Sequence, residues 1–100
     1  LDAVRKYLPR VVVGQWVTEY VAPNETPGPG GGSVYGLKER EMLAESCLRH
    51  YVVVGNTTIH GQKSILRDVP RGWTVSVLSP PGIRSRSATP AADCILVWSR

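Results

Sequence analysis

Four side chains in this sequence could act as soft ligands or nucleophiles: Cys47, His50, His60 and Cys94. Cys47 and His50 stand about one helical turn apart, the spacing at which a thiol and an imidazole share one face and could share a zinc ion or a proton. Structural zinc usually brings paired short knuckles, which this set lacks. A reactive thiol needs a depressed pKa, as a helix N-terminus provides, whereas Cys47 falls near the C-terminal end of its expected helix, where the dipole opposes a thiolate. The two cysteines are therefore expected to form a disulfide, Cys47 to Cys94, worth roughly 4 kcal/mol through the chain entropy of the loop it closes. Nucleophile-elbow, zinc-protease, phosphate-loop and dinucleotide motifs are absent from the sequence. Glu39, Glu41 and Glu45 read as charges on a solvated helix face. The expectation is a non-enzymatic protein with neither metal nor cofactor.

The candidate binding residues are aromatic and basic. The chain has three Trp and four Tyr but no Phe, so its large side chains all carry a polar handle suited to half-buried or contacting positions. Trp16 and Tyr20 make an aromatic row on the first expected strand, Trp73 opens a later one, and Arg84 and Arg86 lie in a loop. Twelve Lys and Arg against eight Asp and Glu leave a net charge of +4, scattered without a run of like charges. Such a balance admits an acidic partner without naming one. The favoured reading is capture of another protein through surface loops or a sheet edge, by an effector, inhibitor or recognition domain. The alternative is nucleic acid, with Trp16, Tyr20, Trp73 and Trp98 stacking on bases while Arg10, Arg84 and Arg86 meet phosphates. Sequons at Asn24 and Asn56, the cysteine pair and a start at Leu1 favour a secreted, extracellular protein. No apolar run approaches the roughly 18 residues of a membrane span, so membrane insertion is not expected.

One hundred residues make one domain. Asp2 can cap a short helix ended by Pro9, and Arg10 to Ala22 alternates as a first strand with both faces partly apolar. Residues 23–33, rich in Pro and Gly, read as a mobile loop. The chain then speaks most clearly. Leu37, Met42, Leu43, Cys47 and Leu48 mark one principal helix, which delivers the chain directly into a β-branched strand from Tyr51 to Ile59. Ser64 to Val69 reads as a short third strand. Trp73 to Leu78 alternates cleanly, residues 79–93 form a second mobile loop, and Cys94 to Trp98 is a last strand. The expected fold is α+β: a mostly antiparallel sheet of four to five strands packed on one principal helix as a two-layer sandwich.

Val52-Val53-Val54-Gly55 followed by Pro70-Arg71-Gly72-Trp73 resembles, in order, the Val-x-Gly hairpin and later Pro-Trp loop of cystatin-type protease inhibitors. The family's N-terminal glycine, its glutamine before the valines and its adjacent Pro-Trp are missing, so the analogy is one of topology. It implies hairpin-borne inhibition of papain-like proteases.

Overall fold

A computed structural model describes residues 1–26, 32–78 and 93–100. Along the chain it contains α1 (Asp2–Tyr7), β1 (Val11–Gln15), α2 (Glu39–Leu43), β2 (His50–Asn56), α3 (Thr57–His60), α4 (Ser64–Arg67), β3 (Thr74–Leu78) and β4 (Asp93–Ser99). The fold is α+β. Its four strands make a mixed sheet of order β1-β2-β4-β3, with β1 parallel to β2 and the other two pairings antiparallel.

The expected principal helix is the main correction. Only Glu39 to Leu43 is helical, and residues 44–48 descend through turns in which Glu45 N–H donates to Met42 O and Leu48 N–H to Glu45 O. The cause is tertiary. The Leu43 carbonyl that would receive the next helical N–H is taken by the Trp73 indole at 3.1 Å and by Arg100 at 3.3 Å. Arg49 and His50 N–H both turn to the Arg10 carbonyl, which starts β2 beside β1. A five-residue helix is unstable alone, and α2 is held by the burial of Met42 and Leu43.

Three other expected elements change. The first strand stops at Gln15 because Trp16, at φ 53°, turns the chain out of the sheet. The Glu19–Tyr20 segment instead bridges Leu37 and Ser33. The strand after Tyr51 ends at Asn56, where the backbone N–H donates to His60 Nδ1 and α3 begins. Ser64 to Arg67 is helical rather than extended. Val52 to Gly55 therefore lies inside a strand paired on both sides, not at a hairpin tip as the cystatin analogy requires.

One face of the sheet carries the core. Tyr51 and Val53 of β2 meet Leu96 and Trp98 of β4, with Met42, Leu43, Leu48 and Ile65 above them. The Tyr51 and Trp98 rings stack with centroids 5.4 Å apart. The Trp98 indole donates to Ile65 O at 3.0 Å, so α4 is tied to β4 by the largest buried side chain.

Cys47 and Cys94 are both free thiols, which overturns the expected disulfide. Cys47 lies just before the start of β2, whereas Cys94 pairs with Gly55 near its far end. Five strand residues separate the two levels by about 16 Å. A disulfide needs Cα atoms within about 7 Å.

Candidate functional site

Glu39 is not a solvated helix charge. It shares the apolar stripe of α2 with Met42 and Leu43, three and four residues on, and is only 2% exposed. Its Oε1 accepts from Lys63 Nζ at 2.7 Å and its Oε2 from the Tyr51 hydroxyl at 2.6 Å. Lys63, 3% exposed, also donates to Val17 O at 2.9 Å. This cluster joins the chain after β1, α2, β2 and the residue before α4. Burial pushes the Glu39 carboxyl above its ordinary value, against the pull of Lys63 and Tyr51. Burial, then the Glu39 charge, pushes the Tyr51 phenol far up.

Beside the cluster, a cleft of about 200 Å³ opens between Glu19, Tyr20, Lys38, Arg40 and Ser64. Ser64 Oγ donates to Glu19, and Lys38 sits 4.9 Å from the centre of the Tyr20 ring. A neighbouring cleft of about 280 Å³ is lined by Leu1, Asp2, Arg5, Gly36 and Glu41. The polar groups here are committed to one another. Glu39 has both oxygens occupied, and the Ser64 hydroxyl is held by a carboxylate. His60 receives the Asn56 N–H on Nδ1 at 3.0 Å, which leaves the proton of the neutral ring on Nε2. Burial and the Lys63 charge lower the His60 pKa, which favours the neutral ring.

The sequence-chosen residues are dispersed. Trp16 is half-buried with its ring edge-on to His60 at 5.2 Å. Tyr20 is half-buried at the 200 Å³ cleft. Trp73 is 7% exposed, with Arg100 4.7 Å above its ring, and Trp98 is fully buried. The four aromatics thus share no exposed sheet face. Arg84 and Arg86 lie outside the described residues. The soft-ligand set is dispersed too: His50 bonds Ser99 Oγ at 3.0 Å, and Cys94 lies in the core. Among the described residues no His, Cys, Asp or Glu cluster of metal-binding size forms, and no helix is long and apolar enough to cross a membrane. The Asn56 side chain is buried, with Nδ2 donating to Asp93 Oδ1 at 3.0 Å, whereas Asn24 is exposed.

What sequence reasoning missed is the second face of the sheet. Alternation from the observed register places three side chains of each strand on it: Val11, Val13 and Gln15; His50, Val52 and Val54; Ser99, Val97 and Ile95; Thr74, Ser76 and Leu78. None of the twelve is Asp, Glu, Lys or Arg, in a chain with 20% charged residues. Val13 is 67% exposed, Val11 49% and Leu78 48%, and the aliphatics of β2 and β4 between them are half-buried. The next row holds the buried Asn56–Asp93 pair, which closes the face at one end. The signal lay in the runs Val11-Val12-Val13, Val52-Val53-Val54 and Ile95-Leu96-Val97, apolar on both sides of a period-two strand. Comparison with protein-family models, with curated proteins and with solved structures finds no match for this chain.

Proposed function

We propose that this chain is a small non-enzymatic binding protein that captures another protein on the open side of its sheet, working as an effector, inhibitor or recognition domain. The observation that supports it is the charge-free face from Val11 to Leu78, aliphatic at seven of its twelve positions, with Val11, Val13 and Leu78 exposed at its edges. Depletion of charge with exposed aliphatic area is the mark of an interface centre rather than of ordinary surface. The mutual engagement of Glu39, Lys63, Tyr51, Ser64 and Glu19 favours a structural role for the polar cluster over an acid, base or nucleophile awaiting substrate. The exposed Asn24 sequon accords with work outside the cell.

Site-specific photo-crosslinking tests the reading. A crosslinker at Val13 should give a discrete protein adduct, and the same group at exposed Arg67, on the helical side, should not. Adducts confined to nucleic acid or lipid, or identical adducts from both positions, would overturn it.

A further inference from the structure

We infer that the partner element seated on this face is an amphipathic α-helix, laid with an uncharged aliphatic stripe across β2 and β4. The inference rests on the protein-binding reading above and specifies what binds.

The strands argue for a helix. β1 and β2 are parallel, and the two central strands are apolar on both sides. Strands that are covered on both faces read as near-continuous aliphatic runs, and where a sheet includes parallel strands the covering layers are commonly helical. Here α2 and α4 supply one such layer and the described residues leave the opposite face open.

Dimensions and charge agree. Four strands at about 4.8 Å spacing and five residues at about 3.3 Å make a face roughly 19 by 17 Å. A helix about 10 Å across and three turns long, about 16 Å, matches that height. A second copy stacked face to face would cover roughly 300 Å² on each side, about 600 Å² in all, the size of a lattice contact rather than of a stable dimer. A helix belonging to a larger partner, laid along the strands, can continue past the face at its His50–Ser99 end, away from the Asn56–Asp93 row. With no charge on the twelve positions, the helix stripe that fits is itself uncharged, and binding should be nearly indifferent to salt.

The test uses the full chain and a fluorescein-labelled peptide of roughly 14 residues, Leu and Ala on one helical face, paired Glu and Lys on the other. A second peptide of identical composition has its apolar residues scattered around the helix. Fluorescence anisotropy should show saturable binding of the first, at least about tenfold weaker binding of the second, and little change from about 50 to 500 mM salt. Val13→Lys and Leu78→Lys, on opposite edges of the sheet and checked for folding by circular dichroism, should each weaken binding about tenfold. Equal binding of the two peptides, no binding of either, or insensitivity to both variants overturns the helix. Two further outcomes would do so by naming another occupant. One is a dimer in sedimentation that Val13→Lys abolishes; the other is co-sedimentation with phosphatidylcholine vesicles that the same variant abolishes. If the peptides fail while crosslinking from Val13 still yields a protein adduct, the helix is refuted and the protein-binding reading stands.

Discussion

Replacing Lys63 by Met should be among the most damaging single changes in the molecule, and its damage should depend on pH. The substitution keeps the stem in the core but removes the cation from Glu39 and the donor from Val17 O. Deleting one partner of a buried ion pair leaves an uncompensated charge and costs about 3–5 kcal/mol, against a total of about 5–15 kcal/mol for a domain. For a chain of this size the loss corresponds to a melting temperature lower by more than about 12 °C. The sign of the pH dependence follows from Glu39, whose folded pKa lies above its unfolded value of 4.5. Such a group stabilises the fold fully only below the unfolded pKa and loses that contribution as pH rises through the folded one. Without Lys63 the folded pKa rises further, so the variant's deficit should be smallest at mildly acidic pH and larger at mildly alkaline pH. Urea unfolding followed by tryptophan emission reads this directly, since Trp73 and Trp98 are buried. Pairing Lys63→Met with Glu39→Leu should restore part of the loss, because no charge is then stranded, while Tyr51 and Val17 O still lack a partner. A deficit below about 1 kcal/mol at neutral pH, or the same deficit at both pH values, would show that the pair is not carrying this load.

Further outcomes follow from the same contacts. Tyr51→Phe removes a hydrogen bond to a charged, buried acceptor and should cost about 1.5–3 kcal/mol by denaturant titration. In alkaline spectrophotometric titration Tyr51 should stay un-ionised until the fold is lost, because burial and Glu39 both oppose the phenolate. Two thiols should titrate in denaturant, and Cys94 should be the slower in the native protein, since burial and Asp93 raise its pKa. Gly55→Ala would drive a methyl group into the His60 ring and should destabilise by about 1–3 kcal/mol. If the chain passes through a secretory pathway, mass spectrometry should find glycan on Asn24 and none on Asn56, whose side chain is buried against Asp93.

What was legible in the sequence was whatever depended on neighbours along the chain. The alternation of Thr74 to Leu78, the apolar run at Ile95 to Val97, the short helix after Asp2 and the α+β class all survive in the structure. What failed depended on distant partners. Nothing local tells that the Trp73 indole and Arg100 will take the Leu43 carbonyl and cut the helix short. Nor does a local pattern show that Trp16 will adopt a left-handed conformation, since tryptophan has no preference for it. Glu39 was misplaced because its charge outweighed its position, although its spacing from Met42 and Leu43 put it on the buried stripe. Its true partner, Lys63, is 24 residues away. The second sheet face was half legible: the doubled apolar pattern was in the valine runs, and only the structure shows that the described helices pack on the other side.

β1 lies between two residues with left-handed backbones, Leu8 at φ 51° and Trp16 at φ 53°. Neither is glycine, and each carries a conformational cost of about 1–2 kcal/mol that release of the strand would return. β1 is also a border strand with one neighbour, whereas β2 and β4 have two each. Detachment of this segment should therefore be a low-lying sub-global excursion among the described strands. Amides such as Trp16 N–H, which donates to Val54 O, should exchange with solvent through that excursion, while those between β2 and β4 wait for global unfolding. This border strand is thus an easily remodelled unit, and a ligand that ordered it would register in the exchange rates of these few amides.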